Sequence, residues 1–199
     1  MPSPQVFDRL PFFLREVGVK ASAEQLRLFR IHYDLLLRWN RKINLTAIRE
    51  PEEILRRHFA ESAFVTRVLK LGPGTLVDVG SGAGFPGVPI KILSPETRVV
   101  LVESVQKKAA FLKELARELG LGGLEIFADR MEAIDIKGDW LTMRAVRADP
   151  TFLVEAQRIV PRGTLAFLLS AEDARSLGPD WCPHPIPGRA GSVVAVRST

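Results

Sequence analysis

Leu76-Val77-Asp78-Val79-Gly80-Ser81-Gly82-Ala83-Gly84-Phe85-Pro86-Gly87 is the stretch that decides the fold. Its first four residues suit a buried strand. Four glycines then fall within the eight positions 80–87, and the helix-compatible run Val88 to Leu93 follows. Strand, glycine loop and helix start form a nucleotide-like ligand site. Glycine lets a ligand approach the backbone closely, and the first turn of a helix offers unpaired N–H groups.

Gly82-Ala83-Gly84-Phe85-Pro86-Gly87 matches G-x-G-x-x-G, which alone is a weak signal. Two acids sharpen it. Asp78 ends the strand two residues before Gly80, although Asp is depleted in strands and a buried carboxylate must find partners. The next strand candidate, Arg98–Glu103, also ends in an acid, 23 residues after Gly80, where a carboxylate can accept from both ribose hydroxyls of an adenosine. Acid, glycine loop and second acid form the pattern of S-adenosylmethionine (SAM) methyltransferases of the Rossmann-like class. The competing reading is a structural turn with a strand-capping Asp.

Composition sets the limits. The chain has 199 residues, 46% hydrophobic and 26% charged, enough for one core plus an appended subdomain. No apolar run is long enough to span a membrane. The first residues lack a signal-peptide pattern, and Cys182 is the only cysteine, so a reducing cytoplasm is expected. The three histidines have no metal-ligand spacing, and no metal is expected. Net charge is +5, and all of the excess precedes the glycine loop. Residues 1–70 carry 13 Lys and Arg against 8 Asp and Glu, whereas residues 71–199 carry 15 of each. A basic helical subdomain over 1–70 and a SAM-binding domain over 71–199 are therefore expected, with a polyanionic partner.

In chain order, helical spacing covers Pro4 to Val17, and Ser22 with Gln25 fits a capping box opening a helix to about Asn40. Asn40 to Ala47 is a polar turn. Pro51 opens another helix, on whose apolar stripe His58 reads as a structural histidine rather than a catalytic one. Leu71-Gly72-Pro73-Gly74 breaks the chain. Strands are expected at Leu124–Ala128, Trp140–Val146, Thr164–Leu169 and Val193–Arg197, and helices at Gln106–Leu119 and Phe152–Val160. This α/β alternation implies a mostly parallel sheet flanked by helices, with ligands at the carboxyl ends of its strands. Asp78–Gly84, Glu103, Asp129–Glu132 and Arg144 all fall at those ends.

The chain resembles the bacterial small-subunit rRNA guanine-N7 methyltransferase family, RsmG or GidB. The matching pieces are Trp39-Asn40-Arg41-Lys42-Ile43-Asn44-Leu45-Thr46, Arg57-His58-Phe59-Ala60-Glu61-Ser62, the glycine stretch, Glu103 to Leu112, and Arg144-Ala145-Val146. They cover roughly residues 25–170 in the family order. The resemblance implies a Rossmann-like class I SAM-dependent methyltransferase with an N-terminal helical subdomain. It implies SAM at Gly80, Phe85, the Met131-Glu132 turn and Arg144, beside Asp78, Gly82, Gly84 and Glu103, to which the acid and glycine pattern itself points. It places Lys107, Arg130 and Arg144 near the reacting centre. The implied acceptor is a guanine N7 in the 530-loop region of 16S rRNA, free or in a small-subunit particle, with no membrane and no obligate protein partner. Another RNA or a small molecule is the alternative acceptor. For Arg144 the plain alternative is a strand-end ion pair with an acid such as Glu132. For Lys107 it is a solvated helix start. The family pattern is departed from at Glu61 (usually Asp), at Leu169-Ser170 (usually Lys-Gly), at Ala190-Gly191 (usually Arg-His) and at Met143-Arg144-Ala145 (usually Ser-Arg-Ala). Guanine N7 carries a lone pair and no proton, which agrees with the lack of an evident catalytic base.

Overall fold

The structure is a computed structural model that describes the backbone of residues 4–144 and 148–199. The N-terminal part contains α1 (Pro4–Phe7), α2 (Leu10–Glu16), α3 (Ala23–Trp39), α4 (Pro51–Ile54), a π-helical segment (Leu55–Ala60) and α5 (Glu61–Leu69). Then follow β1 (Gly74–Val79), α6 (Gly87–Leu93), β2 (Thr97–Val102), α7 (Gln106–Leu119), β3 (Leu124–Phe127) and a 3-10 turn (Met131–Ala133). The chain continues through β4 (Trp140–Arg144), α8 (Pro150–Ile159), β5 (Thr164–Ser170), α9 (Ala171–Ser176), β6 (Cys182–Pro185) and β7 (Ser192–Ser198).

The seven strands form one sheet in the order β3-β2-β1-β4-β5-β7-β6. β1 to β5 are parallel, while β7 runs antiparallel to β5 and β6 antiparallel to β7. Side chains alternate faces along a strand, and the two apolar layers follow from that alternation. Leu76, Val99, Leu101, Ala166 and Leu168 face a cluster built with α2, α3, α5, α6 and α7. Val77, Val100, Val102, Leu165 and Phe167 face the other cluster, covered by α8 and the 3-10 turn. The N-terminal helices therefore roof one face of the sheet and share its core.

Several expectations are corrected. Pro4 to Val17 is two helices, not one, because Pro11 has no N–H to continue a helix and starts a new one instead. The helix opened by Pro51 passes through the π-helical segment, which carries Arg57 and His58. β6 escaped the sequence reading because Pro183 and Pro185 argue against a strand. They are tolerated here because β6 is the sheet edge. The sequence spacing carries the fourth strand on to Val146, and Ala145 and Val146 lie outside the described residues. The capping box of α3 forms as expected, with Ser22 and Gln25 bonded reciprocally.

Two histidines join this roof to the glycine loop. Phe85 is stacked between His32 (centroids 4.6 Å apart) and His58 (4.8 Å). His32 Nε2 bonds the Ala83 carbonyl oxygen at 2.8 Å, and His58 Nε2 bonds Thr46 Oγ1 at 2.7 Å. Asn40 holds Thr46 in turn: its Oδ1 accepts from the Leu45 and Thr46 amides, and its Nδ2 donates to the Thr46 carbonyl. The Asn-Leu-Thr turn thus supports His58, as the structural reading of that histidine expects. Burial pulls His32 down to about 4. Burial, followed by the positive charge of Arg144, pulls His58 down to about 2.

These shifts set a pH dependence. Both histidines are neutral in the fold but protonate when unfolded below about pH 6.5, so their contribution to stability is lost as pH falls through that range. Asp78 works in the opposite direction. Burial raises its folded value to about 7, so its contribution is lost as pH rises from about 4 to 7. Two protons against one leave a net loss approaching about 1.4 kcal/mol per pH unit near pH 5. Denaturant unfolding across pH 5–7 is expected to show this slope in the wild type and to be nearly flat near pH 5 in His58→Gln. An unchanged slope in the variant would contradict the assignment.

Candidate active site

The glycine loop leaves β1 and closes on the neighbouring strand. The Gly80 and Ser81 amides both donate to the Val102 carbonyl, at 2.9 and 3.1 Å. The Gly84 and Phe85 amides donate to the Ser81 carbonyl, and the Val88 amide to that of Gly84. Gly82 has φ +56° with no neighbour closer than 3.7 Å to where a Cβ would stand, so its backbone lies open. Gly87 needs glycine for a different reason: a Cβ would meet Leu101 at 2.4 Å and Asp78 at 2.8 Å.

Asp78 lies beneath the loop, fully buried. Its Oδ1 accepts from Thr142 Oγ1 at 2.9 Å and its Oδ2 from the Gly87 amide at 3.1 Å. The Ser81 hydroxyl donates to the Asp78 carbonyl at 2.8 Å. One carboxylate therefore ties β1, β4 and the start of α6 together. Glu103, just past β2, holds the loop from the other side. Its Oε2 accepts from the Gly82 amide and its Oε1 from the Val105 amide, both at 2.8 Å. Each oxygen keeps a second lone pair for another donor.

The remaining predicted residues rim these strand ends. Gln106, at the start of α7, donates to the Ala128 carbonyl at 3.1 Å, which sets the first turn of α7 beside the loop after β3. Lys107 and Arg130 are exposed there. Met131 is buried and Glu132 exposed. Arg158 holds this turn in place, donating to the Met131 and Ile134 carbonyls at 3.0 Å each. The sequence reading passed over Arg158, whose only signal is a cation in the last turn of α8.

Arg144, at the end of β4, pairs with Glu61 at 3.1 Å, and not with Glu132. Glu61 also receives Arg189 Nε at 2.9 Å, and Arg189 reaches Glu53 at 3.6 Å. Glu61 is 5% exposed, so this is a buried Arg–Glu–Arg cluster. Burial lowers Arg144 from its ordinary value, and the Glu61 carboxylate opposes that shift. Arg144 Nη1 has no partner among the described residues. The sequence reading marked Ala190-Gly191 as a departure from a basic pair before the last strand and passed over Arg189, one residue earlier, whose guanidinium reaches Glu61 and Glu53. Beside this cluster a cleft of about 840 Å³ opens at the carboxyl ends of β4 and β5.

The sequence-predicted residues thus fall into three groups. Asp78, Gly80, Gly82, Gly84 and Glu103 form one bonded unit. Lys107, Arg130 and Glu132 rim it. Arg144 stands on the cleft side, joined to Asp78 through β4 and Thr142. The Phe85 ring is turned into the roof. Among the described residues no cluster of His, Cys, Asp and Glu has the makings of a metal site, and no helix is long and apolar enough to cross a membrane.

A family model described as rRNA small subunit methyltransferase G, GidB, matches residues 25–176. The ribosomal RNA small subunit methyltransferase G of Psychrobacter arcticus is 36% identical over 183 residues, which cover 89% of this chain and 76% of its own. That of Syntrophobacter fumaroxidans, methyltransferase G 1, is 42% identical over 171 residues, covering 81% and 73%. Among solved structures, a SAM-dependent methyltransferase from Aquifex aeolicus superposes with a TM-score of 0.57 at 18% identity, covering 74% of this chain and 93% of that one. At that identity the likeness shows the Rossmann-like fold alone.

The Arg–Glu–Arg cluster makes Glu61 costly to neutralise. Glu61→Gln is expected to destabilise the protein by about 3 kcal/mol, because two largely buried guanidiniums lose their counter-charge. Denaturant unfolding at pH 7 checks this, and a loss below about 1 kcal/mol, the scale of an exposed pair, would contradict it.

Proposed function

Because the chain belongs to the GidB family of rRNA small subunit methyltransferases G, we propose that it methylates small-subunit (16S) rRNA with S-adenosylmethionine, at the N7 of a guanine in the 530-loop region. The acceptor places the reaction in the cytoplasm, on the rRNA or on a small-subunit particle. The single observation that carries the reading is the bond between the Gly82 amide and Glu103. It joins an open glycine backbone and a ribose-accepting carboxylate at adjacent strand ends, with Arg144 beyond them.

The residues present fit the cofactor. Glu103 has lone pairs left for a ribose diol once its two backbone amides are counted. Gly82 leaves room at the loop, Gly84 packs closely on Val88, where a Cβ would come within 2.9 Å, and Asp78 fixes the loop's shape from below. Phe85 contributes through its backbone, since its ring is 5% exposed. The Met131-Glu132 turn closes the adenosine side, steadied by Arg158. When bound, S-adenosylmethionine supplies an electrophilic methyl group on a positively charged sulfur.

This chain's residues orient and exclude water; they need not remove a proton. The guanine N7 lone pair forms the new bond to carbon, and the departing sulfur keeps the old bonding pair. His32 and His58 are buried under the loop with depressed values, and His184 lies on the edge strand β6, so none of the three imidazoles is placed to take a proton from an acceptor. An acceptor without a proton suits such a site, where alignment supplies the rate. Lys107 and Arg130 contact phosphate or guanine O6. Arg144 serves both cofactor and substrate sides.

The test is methyl transfer from labelled S-adenosylmethionine to small-subunit rRNA and particles lacking the modification, with the methylated base mapped. Label at a guanine N7 in the 530-loop region is expected, reduced by roughly 100-fold or more in Gly80→Asp and Arg144→Ala. Cofactor binding without label on any form of the rRNA would overturn the reading.

A further inference from the structure

The cleft beside Arg144 has two sides of opposite chemistry. Arg57 comes from the helical roof on one face of the sheet, and Arg144 from the end of β4. Asp149, Ser170 and Asp173 come from the starts of α8 and α9, which cover the other face. Aliphatic side chains such as Ile186 complete the lining. At about 840 Å³ the cleft lies within the range of small-molecule sites, about 300–1,000 Å³. Both acids have spare acceptor capacity. Asp149 Oδ1 accepts from the Phe152 amide at 2.9 Å, and Asp173 Oδ2 from Ser170 Oγ at 2.7 Å. Among the described residues the other oxygen of either has no partner, and both residues are exposed. In the same cleft Arg144 Nη1 is buried and has no partner among the described residues, while its Nη2 is held by Glu61.

We propose that this cleft receives a single guanine nucleotide extruded from the rRNA. Asp149 and Asp173 accept from the N1–H and N2–H groups of its Watson–Crick edge, and its O6–N7 edge faces Arg144. The inference rests on guanine N7 being the acceptor atom. A base inside a helix cannot bring both edges to protein walls, so the nucleotide must leave its stack. Only guanine presents adjacent ring and exocyclic donors on one edge with two acceptors on the other. Adenine would turn a ring lone pair towards the carboxylates and leave them unpaired, which strongly disfavours it. The acidic wall has a second effect. Forming the N7–carbon bond moves a positive charge onto the base, and nearby fixed carboxylates stabilise that charge as it develops. Glu61 offsets the opposing charge of Arg144.

The experiment compares wild type, Asp149→Asn and Asp173→Asn on small-subunit rRNA carrying guanosine or inosine at the mapped target. Inosine keeps N7, O6 and N1–H but lacks the 2-amino group. Asn preserves the helix-start hydrogen bonds of both positions. At least one variant is expected to lose roughly 10- to 100-fold in kcat/KM on guanosine and clearly less on inosine, with cofactor affinity unchanged by calorimetry. A 2-aminopurine placed next to the target should brighten on binding as its stacking partner leaves. Variants equal to wild type on guanosine, equal losses on both bases, or no fluorescence change would overturn the proposal while leaving guanine-N7 methylation standing. Failure of the wild type to label guanine N7 would remove both.

Discussion

Phe85 lies between two imidazoles, and the shape of the glycine loop depends on that stack. A neutral histidine packs its faces like an aromatic ring while its edge makes a directed hydrogen bond. Both properties are used here. His32 stacks on Phe85 and bonds the Ala83 carbonyl two residues before it, so face and edge fix the same loop. His58 covers the opposite face of the ring and passes the constraint to Thr46, and through Thr46 to Asn40. Leucine in either place would fill volume but leave a loop carbonyl or a turn hydroxyl without its partner. The roof is thus more than a cover for the sheet. It sets where the open backbone of Gly82 stands relative to Glu103.

The two buried carboxylates are managed in different ways, with different consequences. Asp78 has no counter-ion. Hydroxyl and amide donors hold it, and burial raises its value to about 7. It can therefore sit under the loop without placing a fixed full charge there. Glu61 instead lies between two guanidiniums, those of Arg144 and Arg189. Burying an ion costs several kcal/mol, which a second well-placed arginine helps to offset. The cluster also spans distant parts of the chain: the helix that carries the Arg-His motif, the end of β4 and the loop before β7. Moving Glu61 would shift both Arg144 and the wall of the cleft.

The α/β order, the sheet's parallel part, the capping box and the strand-end acids were legible from glycine spacing, period and strand-end chemistry. Those signals are local, written within about twenty residues of each other. What was missed is long-range or rule-breaking. Arg158 and Arg189 look like ordinary surface cations until the fold brings a turn carbonyl or Glu61 to them. β6 carries two prolines that only an edge position excuses. The π-helical segment leaves no period in a short stretch of mixed residues. The Arg144 partner was sought nearby, at Glu132, because spacing along the chain says nothing of contacts made across the sheet.

Charge placement gives the strand ends a consistent logic for the proposed reaction. A sulfonium cofactor brings one positive charge and leaves without it, so that charge moves from sulfur to the base during transfer. In that proposal Glu103 holds the ribose of the cofactor, and Asp149 and Asp173 hold the base that takes up the charge. Arg144 stands between, its own charge partly cancelled by Glu61, so it can donate hydrogen bonds without repelling the product as strongly as a lone cation would. Such an arrangement stabilises charge by position rather than by proton transfer. That is the one kind of help a base nitrogen without a proton can use.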